Sequence, residues 1–144
     1  MPHDKTQQKV ELYAGQVPHL IGLQPVVLGR FDFYAVWREV QKASGITIHV
    51  FGPRRGDREE VLRFDCFDLP AHFHLGWSYL DQPYIIIEDP DPVAWSFREM
   101  EINMNTLLAE ADADSMERIE IENLKNALAV LRARVDELMA THSG

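Results

Sequence analysis

The chain is poor in cysteine, in long apolar runs and in basic residues. Its 144 residues include one cysteine, and 14 lysines and arginines are outnumbered by 23 aspartates and glutamates, which gives a net charge of −9. A single thiol excludes an intrachain disulfide and a cysteine-rich zinc site. A negative chain repels phosphate backbones, so no nucleic-acid partner is expected. The longest apolar run is only a few residues, so no membrane contact is expected.

Other features concern location and domain organisation. Residues 1–10 are polar and lack the apolar segment of a secretory signal, so together with the lone cysteine they predict a cytoplasmic protein. With 46% hydrophobic and 26% charged residues, the composition is that of a folded globular protein. The length fits one domain, which we place at residues 1–110, followed by a helical extension at 111–144. Residues 1–30 show the weakest pattern.

The first element that the hydrophobic pattern predicts clearly is a helix. Apolar residues recur at helical spacing from Phe33 to Val40. Asp32 precedes them as an N-cap, and Gly45 suits a left-handed C-terminal cap. The pattern therefore predicts a helix over residues 33–44 that packs two aromatic side chains on a sheet.

Alternating apolar and polar residues predict several strands. The predicted extended segments cover residues 10–14, 26–28, 46–51, 61–68, 71–75 and 84–88. A charged loop over residues 53–60 joins two of them as a hairpin. Because strands are followed by helices, we expect an α+β fold in which residues 46–88 form an antiparallel β-meander of three or four strands, packed by two helices.

Two helices are predicted after the sheet. Pro92 fits a first helical turn, and an apolar stripe continues to residue 110. A longer helix from about residue 115 to 139 carries apolar residues at the a and d spacing of a heptad repeat. These residues are Ile121, Leu124, Leu128, Leu131, Val135 and Leu138. The spacing fits either burial within the chain or contact with a second copy or another protein, and we expect an oligomer or a protein partner.

Polar residues concentrate in the segment FDCFDLPAHFH, residues 64–74. His72 and His74 are two residues apart, so on a strand they project from one face about 7 Å apart, where both imidazoles can bind one ion. The carboxylates that can complete a set of two histidines and one carboxylate are Asp65, Asp68 and Glu88. Such a set suits zinc or ferrous iron, so the segment is a candidate metal site.

The same segment has interpretations that need no metal. The imidazoles can instead work with Asp65 or Asp68 in acid–base catalysis, or hydrogen-bond within a polar pocket. Trp77 and Tyr79 are candidates for lining a pocket for a small organic ligand, although they can equally belong to the core. Cys66 alternates to the opposite strand face, where we expect a buried apolar residue and not a nucleophile.

The middle of the chain combines FDCF at residues 64–67 with HFH at residues 72–74, followed by an Asp- and Pro-rich turn before a Trp-bearing helix. This combination resembles small bacterial domains of a family of unknown function. The resemblance covers about residues 46–110 and leaves the heptad helix as an extension. It implies a compact α+β unit and supplies no reaction, cofactor or catalytic residue.

Two classes of function fit these patterns. The first is an accessory or binding subunit that uses the His/Asp pocket for a small ligand or a metal and the heptad helix for partner contact. The alternative is a small enzyme acting on an organic substrate, either with zinc or iron or by His/Asp acid–base chemistry. We expect the first, because the heptad stripe is regular whereas the catalytic candidates form a looser set.

Overall fold

The computed structural model of the chain describes residues 20, 22–68, 70–76 and 84–142. Within these residues a six-stranded antiparallel sheet is followed by two helices. The strands are β1 (Val26–Leu28), β2 (Phe31–Val40), β3 (Ala43–Arg54), β4 (Asp57–Phe67), β5 (His72–Leu75) and β6 (Ile85–Ile86). The helices are α1 (Pro92–Glu110) and α2 (Arg118–His142). The predicted α+β fold is confirmed.

The sheet is a simple meander, because each strand pairs with its neighbours along the chain in the order β1 to β6. The predicted hairpin is confirmed, since β3 and β4 pair as antiparallel neighbours. They connect through Arg55 and Gly56, whose positive φ angles of 52° and 85° fit a two-residue hairpin turn. Most of the charged segment 53–60 therefore belongs to the two strands. The described part of residues 46–88 contributes four strands, β3 to β6, as the sequence predicted, and β1 and β2 extend the sheet to six. The extended segment predicted at 10–14 lies outside the described residues.

The predicted helix over residues 33–44 is wrong, because these residues form β2 and the beginning of β3. Asp32 lies inside β2 and pairs with Arg58, so it caps no helix. The helical spacing arises because β2 buries apolar residues on both faces: Phe33 joins the main core, whereas Val36 joins a smaller cluster. A strand that is buried on both faces loses the alternation that identifies a strand in sequence.

Gly45 also differs from its predicted role as a helix cap. It lies within β3 with a φ of 152°, and a Cβ atom there would lie 2.4 Å from the carbonyl oxygen of Cys66 on β4. Any larger residue would push the two strands apart, so the close approach of β3 and β4 requires glycine.

Both helices cover one face of the sheet and form the main hydrophobic core with it. The largest apolar side chains that are fully buried there are Phe31, Phe33, Phe64, Ile46, Ile48, Leu62, Met100, Met104, Leu108 and Leu131. Burial of each such side chain stabilises the fold by roughly 1.5–3 kcal/mol before the entropy of ordering is subtracted. Within the described part of the chain, neither helix is long and apolar enough to cross a membrane.

The heptad stripe of α2 is largely buried in the chain's own core. Leu124, Leu128, Leu131 and Val135 are buried members of the main core, whereas Ile121 is 41% exposed. The middle of the stripe thus packs within the chain, which is one of the two interpretations of its spacing. An oligomer or a partner contact stays a prediction, as does the division into a domain and an extension.

A buried carboxylate, Glu120, anchors the start of α2 to the sheet. Its Oε1 accepts a hydrogen bond from Arg30 Nη2 at 2.7 Å, and its Oε2 accepts one from the Arg30 backbone N–H at 2.7 Å. Oε1 also accepts the backbone N–H of Glu117, which closes the first helical turn. The helix therefore begins at Arg118, about three residues after its predicted start near residue 115.

Hydrogen bonds also control the ionisation of Glu120. Burial by itself raises the pKa of this carboxyl group, but the hydrogen bonds from the side chain and backbone of Arg30 and from the backbone of Glu117 outweigh burial and lower the pKa. A group whose pKa is lowered by folding stabilises the native state above its unfolded pKa. That contribution is lost as the pH falls through the lowered pKa.

We predict that Arg30→Met lowers the free energy of unfolding by roughly 1–3 kcal/mol at neutral pH, because the buried Glu120 loses its charged partner. The difference between the wild type and Arg30→Met should shrink as the pH is lowered from about 7 to about 3, since Glu120 is then increasingly protonated. Urea unfolding at several pH values measures both quantities.

Arg118→Ala is the control for this prediction. Arg118 pairs with Glu122 on the same helix, but its side chain is 93% exposed. We expect a change of less than about 0.5 kcal/mol. A cost for Arg30→Met that is no larger than the control's, or one that grows in acid, would contradict the anchoring role of Glu120.

Candidate metal site

A layer of polar side chains lies on the face of the sheet opposite the helices. Directly paired residues of antiparallel strands project to the same face, so strand pairing defines which residues belong to this layer. The pairing of β3, β4 and β5 gives two adjacent rows, Thr47, Asp65 and His72 in one and His49, Arg63 and His74 in the other. We call these six residues the polar face. All of them are buried except Arg63, which is partly exposed.

Asp65 contacts both histidines of the predicted metal site. Its Oδ2 lies 3.1 Å from Nε2 of His72 and 3.3 Å from Nε2 of His74. Each of the three side chains offers one metal-ligand atom, and these atoms all lie within 4.8 Å of one another. The structure therefore brings together three of the residues that the sequence proposed, and we call them the donor group.

The carboxylate of Asp65 is held on several sides. Its Oδ1 accepts a hydrogen bond from Thr47 Oγ1 at 2.8 Å and lies 3.7 Å from Arg38 Nη1. Arg63 Nε lies 3.3 Å from Oδ2. Burial by itself raises the pKa of Asp65, but the two histidines, Arg63 and Thr47 together hold the pKa far below its ordinary value. Asp65 is thus ionised at neutral pH, as a metal ligand must be.

The hydrogen bond of His72 to the backbone determines which nitrogen faces Asp65. Nδ1 lies 3.0 Å from the carbonyl oxygen of Pro70, which can only accept, so Nδ1 carries a proton. A neutral His72 then points the lone pair of Nε2 at a carboxylate oxygen. A cation between the two atoms, either a proton or a metal ion, makes this contact favourable. Metal-binding histidines commonly donate their other N–H to a backbone carbonyl in this way.

Aromatic rings pack around the two histidines. Tyr84 stacks on His72 with ring centroids 4.0 Å apart, and it meets His74 edge-on at 5.7 Å. Phe67 lies edge-on to His72 at 5.9 Å. Phe67 is buried whereas Tyr84 is exposed, so the rings extend from the donor group to the protein surface.

His49 of the polar face also forms a buried pair with Glu60 on β4. His49 Nδ1 lies 2.5 Å from Glu60 Oε2, and both side chains are almost fully buried. Arg63 connects this pair to Asp65, since its Nη1 lies 3.8 Å from Glu60 Oε1. Sequence reasoning missed Glu60 by placing it in a solvated loop. A β-bulge next to Phe51 pairs Phe51 with Glu60, and such a bulge leaves no clear signal in the local sequence.

The other predicted site residues are not part of the donor group. Asp68 follows the end of β4, where its Oδ1 accepts the backbone N–H of Ser44 at 3.0 Å. Glu88 follows β6 and is exposed. Trp77 and Tyr79 lie outside the described residues, so their place in a pocket stays a prediction.

The fold and the site define an α+β domain with a buried His/Asp centre on one face of an antiparallel sheet. The chain belongs to the family described as Domain of unknown function (DUF7700), whose model matches residues 26–137. The match includes all six strands, α1 and most of α2, so it extends beyond the region of resemblance found in the sequence. No curated protein and no solved structure matches the chain.

Cys66 lies on the core face of β4, as the alternation predicts. Burial raises the pKa of its thiol to about 12, and its Sγ lies 3.5 Å from Ser96 Oγ on α1. Because the thiolate is the reactive form, we predict that the native protein does not react with a thiol reagent at about pH 8, whereas the urea-unfolded chain reacts completely. Colorimetric thiol counting measures both. Rapid labelling of the native protein would contradict this assignment.

Proposed function

We propose that the protein binds one divalent transition-metal ion, zinc or ferrous iron, through Asp65, His72 and His74. The observation that carries the proposal is the convergence of two imidazole Nε2 atoms on one buried carboxylate oxygen, at 3.1 and 3.3 Å. Two histidines and one carboxylate form a ligand set found at zinc and non-haem iron sites.

The surroundings of the donor group support the proposal. The Pro70 carbonyl orients His72, and the Thr47 hydroxyl orients Asp65, in the manner of groups that position metal ligands in proteins. The ligands lie on two adjacent paired strands, β4 and β5, which hold them more rigidly than loops would.

The number of ligands favours a metal that also binds a small molecule. Structural zinc sites have four protein ligands, whereas catalytic sites have three and keep a position for water or substrate. Among the residues that the structure describes, the donor group supplies three. We therefore propose that the bound metal ion in turn binds a small molecule. A binding subunit and a small metal-dependent enzyme would both need this step.

A His/Asp acid–base pair without a metal is the second candidate. A proton on Nε2 of His72 also satisfies the contact with Asp65 Oδ2, so the same geometry fits an imidazolium paired with a carboxylate. Metal analysis separates the two candidates, because the acid–base pair would bind no metal after reconstitution.

We also propose that the protein works in the cytoplasm. Its single cysteine forms no intrachain disulfide, and a reducing compartment keeps both this thiol and ferrous iron in the reduced state. Localisation of the tagged protein by cell fractionation tests this proposal.

We predict one equivalent of zinc or ferrous iron per chain after reconstitution, together with a higher melting temperature, since a ligand that binds only the folded state stabilises it. His72→Ala, His74→Ala and Asp65→Asn should each weaken metal binding by more than about 100-fold, because loss of a ligand exceeds the effect of losing an orienting partner. Metal analysis, competition with a chromophoric chelator and thermal unfolding measure these effects.

His49→Asn is the matched control. His49 is a buried histidine on the same polar face, but it contacts Glu60 and lies outside the donor group. The variant should keep its metal even if it is less stable. Equal loss of metal in His49→Asn and His72→Ala, or unchanged binding in all the ligand variants, would contradict the proposed site.

A further inference from the structure

Arg38 extends from the protein surface to the donor group. Its side chain is 25% exposed, whereas the side chain of Asp65 is 3% exposed, and Nη1 of Arg38 lies 3.7 Å from Oδ1 of Asp65. Arg38 therefore carries a positive charge from the partly exposed edge of the polar face to the buried carboxylate of Asp65.

Strand pairing explains how Arg38 reaches this position. Arg38 on β2 pairs with Gly45 on β3, and Gly45 pairs with Phe67 on β4. Because Gly45 places no side chain between them, the guanidinium group extends over the Phe67 ring, with its Cζ 6.0 Å from the ring centroid. A Cβ atom at Gly45 would lie too close to the Cys66 carbonyl, so the fold excludes a larger residue between Arg38 and Phe67.

A guanidinium group beside a metal ion is suited to binding an organic acid. The planar fork of arginine matches the two oxygens of a carboxylate. A metal with open positions accepts a carboxylate oxygen and a second oxygen next to it. The rings of Phe67 and Tyr84 flank His72, so apolar groups lie beside the donor group, as they do in many small-molecule sites.

We propose that the metal site takes a small organic acid whose carboxylate and adjacent oxygen bind the metal, and that Arg38 pairs with that carboxylate. This inference rests on the proposed metal site and adds the chemical class of its ligand. Arg38 is then the residue that determines specificity for an anionic ligand.

The test uses the full chain loaded with Co²⁺, whose visible absorption spectrum reports changes in its ligands. Pyruvate is the probe because its carboxylate lies next to a keto oxygen, and the uncharged pyruvamide is the comparison. We expect pyruvate to change the spectrum with saturation and pyruvamide to have little effect. With the metal site saturated with Co²⁺, Arg38→Gln should raise the Kd for pyruvate about tenfold, as expected for loss of one charge-assisted hydrogen bond, and its effect on the Kd for Co²⁺ should be smaller.

Two further variants distinguish a loss of pyruvate recognition from a general effect on folding. Arg58→Gln is the matched control, since Arg58 also lies over an aromatic ring, Phe51, and pairs with an aspartate, but that aspartate is Asp32. It should leave both affinities unchanged. Arg38→Lys keeps the charge without the planar fork, so its Kd for pyruvate should fall between those of the wild type and Arg38→Gln.

The outcomes distinguish this inference from the proposed function. A wild-type chain that binds no Co²⁺ would overturn the metal site and, with it, the ligand class. Co²⁺ binding with equal responses to pyruvate and pyruvamide, or with no response to either, would overturn only the ligand class. The ligand class would also be overturned if Arg38→Gln bound pyruvate like the wild type, or if it lost Co²⁺ while Arg58→Gln retained it.

Discussion

A buried negative charge on Asp65 is the constraint on which the arrangement of the polar face depends. An ionised carboxylate inside a protein is costly unless charged or hydrogen-bonding partners surround it. The partners come from Arg38 on β2, Thr47 on β3, Arg63 on β4 itself and two histidines on β5. Because these partners lie on four strands, a shift in the register of any of these strands would separate some of them from Asp65. The register of the sheet and the geometry of the site are therefore linked.

The two faces of the sheet differ in polarity, because successive side chains along β4 point to opposite faces. Phe64 and Cys66 point into the core beneath the helices, while Asp65 between them points to the polar face. Packing on the core face supplies the stability that offsets the unfavourable burial of charge on the other. It also holds the backbone of the strands in place, which fixes the positions of Asp65, His72 and His74 relative to one another.

Local patterns in the sequence predicted those features of the structure that are determined by residues close together in the chain. The hairpin of β3 and β4, the start of α1 at Pro92 and the shared face of His72 and His74 are of this kind. Contacts between distant strands were not predictable in this way. The choice of Asp65 over the nearby carboxylates depends on the pairing of β4 with β5, and the contribution of Arg38 depends on recognising β2 as a strand.

We propose that a metal ion, and not a proton, lies between the histidines and Asp65. X-ray absorption at the metal edge of the reconstituted full chain tests it most directly, because scattering from imidazole rings counts the histidine ligands. We expect nitrogen and oxygen neighbours at about 2.0–2.2 Å, with two imidazoles in the wild type and one in His74→Ala. A sulfur neighbour, or an imidazole count that His74→Ala leaves unchanged, would contradict it.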